Sequence, residues 1–336
     1  MDSIAILGGG SWGTALALLL ARQNPDRPVS LWVHDPALAR AIAEHRENAV
    51  YLPGFRLPDS IRVTGDLSAA VASAKLVLGV VPSAHAREIY NAAFDSLAEL
   101  PIFVSATKGL ETGTLLRMTE VIEQAGAARN AGPVRVGALS GPSFALEVAR
   151  GDPVAVVAAA RDLALAKTIQ QAVAGPTFRV YSSEDVVGVE MGGAVKNIIA
   201  IAAGICLGLG LGHSTIAALV TRGVAEMTRL ACALGAQPRT LTGLSGVGDL
   251  ILTATGPLSR NRSVGIELGR GRALAEILDS MRMVAEGVGT TAAAIELARR
   301  SGVEMPIAEQ MYAVLYQGLR PRDAIRELMQ RRLKEE

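Results

Sequence analysis

The first residues along the chain whose spacing could do chemistry are glycines. Gly8, Gly10 and Gly13 stand in the pattern G-x-G-x-x-G, with Ser11 and Trp12 inside it. The apolar run Ile4–Leu7 leads into the loop and a helical pattern, Thr14 to Leu19, leads out. In that setting the first glycine permits a tight turn, Gly10 lets backbone approach a pyrophosphate, and Gly13 allows close helix packing. The helix N-terminus adds unpaired N–H groups for anionic oxygens. The spacing alone is common, but strand, loop and helix in that order read as a dinucleotide site. A second apolar run ends at His34-Asp35, where such folds usually contact the adenosine ribose. His34 taken alone suits a surface histidine equally well.

Cations come next. Lys196-Asn197 stands at the head of the most apolar segment of the chain. Burial lowers an ammonium pKa, and a lysine so tuned can donate and recover a proton near neutrality, as carbonyl reduction requires. The alternative is a lysine whose stem packs while its head reaches water. Lys108 follows the run Ile102–Ser105, Pro82-Ser83 follows Leu76–Val81, and Gly141-Pro142-Ser143 follows Val136–Leu139. Ligands of open α/β sheets bind outside the carboxyl ends of the strands, so Lys108 could reach a substrate from there, or be an exposed loop lysine. Asp249 sits at a glycine turn before an apolar run and could be only a helix cap. Ser259-Arg260-Asn261-Arg262 gathers donors that suit a phosphate, or an exposed loop.

These residues need elements to hold them. The chain has 336 residues, enough for about two domains. In its first half six β-rich runs, from Ile4–Leu7 to Val154–Ala158, alternate with helical stretches, which predicts a Rossmann-type, doubly wound, mostly parallel sheet. Beyond about Tyr181 long Ala/Leu/Ile/Val segments take over, at roughly 186–211, 214–235, 263–269, 273–280, 291–302 and 306–317, and predict an all-helical domain. The boundary falls near Ser182-Ser183-Glu184-Asp185, giving residues 1–184 and 185–336. The C-terminal segment Arg320–Glu336 mixes six basic with four acidic residues and reads as a solvated amphipathic helix.

Composition removes several functions. Lys plus Arg is 33 and Asp plus Glu is 32, so no overall field attracts nucleic acid. With 50% hydrophobic and 19% charged residues the chain is far from a disordered composition. The longest apolar stretch, Ile198 to Leu211, is shorter than the ~20 residues of a membrane span and predicts a buried core helix. The start, Met1-Asp2-Ser3-Ile4, lacks the features of a signal peptide. The two cysteines, Cys206 and Cys232, lie in apolar helical segments, so a cytoplasmic protein without disulfides is expected. The four histidines have no zinc-site spacing, and no metal is expected.

Taken together, the motifs resemble those of the soluble, bacterial-type NAD(P)-dependent glycerol-3-phosphate dehydrogenases. The resemblance runs almost end to end. It includes Gly8–Ala15, Asn48…Tyr51-Leu52-Pro53-Gly54, Val80-Val81-Pro82-Ser83, Ala106-Thr107-Lys108-Gly109-Leu110-Glu111 and Ser140-Gly141-Pro142-Ser143-Phe144-Ala145. It continues through Gly192-Gly193-Ala194-Val195-Lys196-Asn197, Thr221-Arg222-Gly223, Gly246–Thr253, Ser259-Arg260-Asn261, Glu286-Gly287 and Val303–Ile307. It implies reversible hydride transfer between NAD(H) or NADP(H) and C2 of dihydroxyacetone phosphate or sn-glycerol 3-phosphate, supplying glycerol phosphate for phospholipid synthesis.

By the same resemblance Lys196 is the proton donor and acceptor, positioned with Asn197; Lys108 lies near the reacting oxygen, and Asp249 and Thr253 hold Lys196 and the substrate hydroxyls. Gly141 and Ser143 touch substrate, while Ser259, Arg260 and Asn261 grip its phosphate. Gly8, Gly10, Ser11, Trp12, Gly13, His34, Pro82, Lys108, Ala145, Arg260, Val284 and Glu286 bind the cofactor. Strand-end neighbours point in different directions, so one of His34 and Asp35 faces the ribose, and the resemblance favours His34. The expected partner is this small-molecule substrate, with no nucleic acid and no membrane span, and the apolar second half allows a homodimer. A β-hydroxyacid dehydrogenase shares the general plan but accounts less well for Ser259-Arg260-Asn261. A non-catalytic dinucleotide sensor has no use for Lys108, Lys196 and Asp249 together.

Overall fold

The computed structural model describes residues 3–130, 132–281 and 283–332. They form two compact units: residues up to Thr107 with Leu116–Val186, and Lys108–Leu115 with the residues from Val187 onward.

The first unit is built on ten strands: β1 Ile4–Leu7, β2 Val29–Trp32, β3 Glu47–Asn48, β4 Leu52–Arg56, β5 Ile61–Thr64, β6 Leu76–Gly79, β7 Ile102–Ser105, β8 Val136–Ser140, β9 Val154–Ala159 and β10 Phe178–Ser183. Eight make one sheet in the order β10-β9-β8-β7-β6-β1-β2-β5, and β3 and β4 form a separate antiparallel pair. Neighbours in the large sheet are parallel except β8 and β9. Successive side chains of a strand point to opposite faces, and the sequence fills both with apolar groups. Ile4 and Ile6, Leu76 and Leu78, and Ile102 and Val104 face one core with the helices Ser11–Gln23 and Leu163–Val173. Ala5 and Leu7, Val77 and Phe103 face the other, with Ala86–Asp95 and Met118–Ala127. A sheet covered on both sides reads as continuous apolar runs, which is why its central strands were visible in the sequence.

The two edge strands were not predicted. In β5 only Ile61 is buried, and in β10 buried Phe178 and Val180 alternate with exposed Arg179 and Tyr181. Sheet edges carry one covered face, so their apolar residues never form a run.

In the second unit, the helix Val186–Gly208 has 89% of its most apolar window inside the molecule. Its partner Arg260–Gly269 packs backbone to backbone: a Cβ on Gly204 would reach the Arg262 carbonyl, and one on Gly265 the Ile201 carbonyl. Only glycine permits that approach. His213–Ala233, Glu286–Ser301, Pro306–Tyr316 and Pro321–Met329 are further helices of the unit. The predicted C-terminal helix is present over Pro321–Met329; residues 333–336 of that prediction lie outside the described residues.

One segment departs from the expected division. Lys108–Leu115, which the expected boundary at 184 leaves in the first half, belongs to the helical unit. Leu110 and Leu115 are buried in that unit's core, and burying two leucines outweighs their nearness in sequence to β7.

Candidate active site

In the first unit the predicted nucleotide residues lie at the carboxyl ends of neighbouring strands, Gly8 after β1, His34 after β2 and Pro82 after β6, while the predicted substrate residue Gly141 follows β8, on the far side of β7. Gly8 has φ +123°, and a Cβ on Gly13 would strike the Gly8 carbonyl oxygen, so the loop closes on its helix only with glycine at both positions. A Cβ on Gly10 would instead project into open space, and the helix that begins at Ser11 has no side-chain cap. Such an uncapped turn beside open space fits a pyrophosphate. The buried Trp12 Nε1 has no hydrogen-bond partner among the described residues, a further feature that suits a bound ligand.

The residue that fixes this loop was given no role by the sequence. Asn48, fully buried, donates from Nδ2 to the Gly9 carbonyl and to Thr14 Oγ1, both at 2.8 Å, and accepts from the Tyr51 N–H at 3.1 Å. Ser11 Oγ donates to the Tyr51 carbonyl at 2.7 Å, so the hairpin β3–β4 and the loop are tied twice. No local spacing marks Asn48; only its place in the resembling stretch Asn48…Gly54 could have.

At the β2 end the two candidates separate. Asp35 Oδ1 accepts from the Ala37 N–H at 2.8 Å and the Leu38 N–H at 3.3 Å, capping the helix Pro36–His45. His34 is exposed and meets Trp32 edge-on, ring centres 5.7 Å apart. At the β8 end Gly141 has φ +140°, and Ser143 Oγ donates to its carbonyl at 3.0 Å. Ala145 opens the helix Ala145–Arg150.

In the helical unit the predicted catalytic residues converge. Asp249 is 1% exposed, and its two carboxylate oxygens take different lysines: Lys196 at Oδ1 and Lys108 at Oδ2, the latter at 2.8 Å. Lys196 Nζ also donates to Thr253 Oγ1 at 2.7 Å, and that hydroxyl donates to the Asp249 carbonyl at 2.6 Å. A π-helical turn, Leu244–Gly248, delivers Asp249 to this position. Asp249 is therefore an ion-pairing residue as well as the first residue of the helix Asp249–Thr255.

Burial pulls the Lys196 ammonium down to about 7; Asp249 opposes that fall and the charge of Lys108 adds to it. Two ammonium groups share one carboxylate in a place that water hardly reaches, and the unmatched positive charge is relieved when Lys196 gives up a proton.

The donor cluster lies beside it. Ser259 caps the helix Arg260–Gly269, its Oγ accepting from the Arg262 N–H at 3.2 Å. Arg260 Nη1 donates to the Val284 carbonyl at 2.7 Å, which leaves the other donors of its guanidinium fork. Asn261 is buried against Asn197, and Glu286 opens the helix Glu286–Ser301.

A glycine loop on a parallel sheet, together with a helical unit that holds a buried lysine on an aspartate, defines a two-unit nicotinamide-dependent dehydrogenase. Residues 3–166 match the family described as NAD-dependent glycerol-3-phosphate dehydrogenase N-terminus, and residues 185–326 the corresponding C-terminus. The chain belongs to the NAD-dependent glycerol-3-phosphate dehydrogenase family. A glycerol-3-phosphate dehydrogenase (NAD(P)+) of Koribacter versatilis is 54% identical over 98% of both chains. One from Citrifermentans bemidjiense is 52% identical over 100% of this chain and 99% of its own. The crystal structure of glycerol-3-phosphate dehydrogenase from Coxiella burnetii aligns with TM-score 0.92 and 38% identity, covering 98% of this chain and 99% of that one.

Proposed function

We propose that the chain reduces dihydroxyacetone phosphate reversibly to sn-glycerol 3-phosphate, with Lys196 giving and recovering the proton. The observation that carries this reading is the buried carboxylate of Asp249 shared by Lys196 and Lys108. Bound NAD(P)H supplies the hydride that C2 receives. The carbonyl oxygen then takes a proton from the Lys196 ammonium, whose pull toward about 7 makes it an acid near neutral pH and its neutral form a base for the reverse direction. Asp249 and Thr253 accept two of the three N–H bonds of Lys196, which leaves one for the substrate oxygen. Lys108, one fifth exposed and paired with Asp249, stabilises negative charge on that oxygen.

Ser259, Arg260 and Asn261 sit at the N-terminus of a ten-residue helix, where backbone N–H groups and a guanidinium together suit a phosphate. Gly141 and Ser143 are assigned to the substrate. The nucleotide is assigned to the Gly8–Gly13 loop with His34, Pro82 and Ala145. The two free cysteines, Cys206 and Cys232, support a reducing, cytoplasmic setting for this reaction. The test follows NADH absorbance on addition of dihydroxyacetone phosphate to the purified protein. Oxidation of NADH that requires the phosphorylated ketone supports the assignment. Consumption with β-keto acids instead, or none with either substrate, rejects it.

A further inference from the structure

Asn261 has a second occupation in the helical unit. Its Oδ1 accepts the Gly287 N–H at 2.9 Å, its Nδ2 donates to Asn197 Oδ1 at 2.9 Å, and Asn197 Nδ2 donates to the backbone carbonyl of Lys108 at 3.1 Å. The bonds all run one way. A backbone donor opens the chain and a backbone acceptor closes it, and neither can reverse, so both amides are held in a single orientation. Asn197 is 4% and Asn261 8% exposed, so water cannot readily replace a lost link.

The surroundings are built to the same purpose. A Cβ on Gly287 would lie 2.8 Å from both Asn261 Oδ1 and the Asn197 carbonyl, so the helix Glu286–Ser301 approaches this closely because that residue is glycine. Farther along the same two helices, seven residues on from Asn197 and four on from Asn261, the Gly204–Gly265 contact fixes their spacing. At the far end stands Lys108, whose ammonium sits on four rotatable bonds. Its position over Asp249 depends on where its backbone is held.

We propose that Asn261 is a positioning residue for the reaction, acting through Asn197 on the backbone of Lys108 and so on the ammonium that shares Asp249. The inference rests on the assignment of Lys108 to the chemistry. It adds to phosphate binding a role that involves no ligand, and it places the Glu286-Gly287 turn and Lys108 on one line of hydrogen bonds.

A double-mutant cycle tests it. Asn261→Ala should lower kcat for dihydroxyacetone phosphate about tenfold, the scale of coupling between residues in one network. In a Lys108→Ala background the same replacement should change kcat less than twofold, because no ammonium remains to be misplaced. Equal fold losses in both backgrounds overturn the proposal, as does a loss confined to KM for the phosphorylated substrate, which is what phosphate binding alone predicts. Lys108→Ala by itself separates the two failures: an unchanged kcat removes Lys108 from the chemistry and the proposal with it, whereas a lowered kcat with an additive cycle removes only the relay. Gly287→Ala attacks the relay from its other end and should show the same non-additivity, so the test stands even if Asn261→Ala does not fold.

Discussion

Lys196 and Lys108 reach Asp249 from positions 53 and 141 residues away in sequence and occupy its two oxygens separately. One carboxylate cannot neutralise two ammonium groups. The surplus charge falls on the more buried lysine, Lys196, with a side chain 5% exposed against 20% for Lys108. This difference in burial supports the proposal that Lys196, rather than Lys108, carries the proton.

The proton carrier is tested by Lys196→Met, which keeps the apolar stem and removes the acid. We expect kcat to fall by roughly 10²–10⁴, the usual contribution of general acid–base catalysis, with NADH binding retained by fluorescence titration. A variant with near-normal kcat would take Lys196 out of the mechanism.

The pH dependence follows with defined signs. In the proposed mechanism reduction needs protonated Lys196, so kcat/KM for dihydroxyacetone phosphate should fall as pH rises through about 7, and glycerol phosphate oxidation should gain. Lys108 lowers the Lys196 pKa and Asp249 raises it. Lys108→Met should therefore move the falling limb to higher pH, and Asp249→Asn to lower pH. Shifts in the same direction, or none, would contradict the shared-carboxylate account.

Arg260→Ala addresses the phosphate. Loss of a charge-assisted contact should cost about 2–5 kcal/mol in kcat/KM, because the phosphate is left partly unpaired. The preference for dihydroxyacetone phosphate over dihydroxyacetone should shrink accordingly. If both substrates lose activity equally, the residue serves something other than phosphate.

What could be read from the sequence depended on distance along the chain. The Gly8–Gly13 loop was legible because one turn contains its whole physics, and Lys196 because a cation within a long apolar segment is conspicuous. Asn48 was not: its partners Gly9 and Thr14 lie 39 and 34 residues away and nothing in its own neighbourhood announces burial. Lys108 was seen as a residue but misplaced, since its membership of the helical unit is decided by Leu110 and Leu115 and by Asn197, 89 residues on. The edge strands β5 and β10 escaped for a different reason, their apolar residues being too few on one face to form a run.

The proposed reader of the nucleotide lies at the end of β2, where the acidic neighbour is already committed. Asp35 spends its carboxylate on two N–H groups of the helix Pro36–His45, while His34 stands exposed beside it. An acidic residue facing the ribose favours its hydroxyls and repels a 2′-phosphate, and a basic residue does the reverse. If His34 faces the ribose, His34→Arg should raise kcat/KM for NADPH relative to NADH, and His34→Asp should lower that ratio, each by about tenfold, as expected for one hydrogen bond to a charged group. Asp35→Ala should leave the ratio unchanged and instead lower stability by about 1 kcal/mol through loss of the helix cap, visible as a lower Tm. Steady-state kinetics with both nucleotides decides the matter. A ratio that moves with Asp35→Ala and stays fixed with both His34 variants would reverse the roles of the two residues.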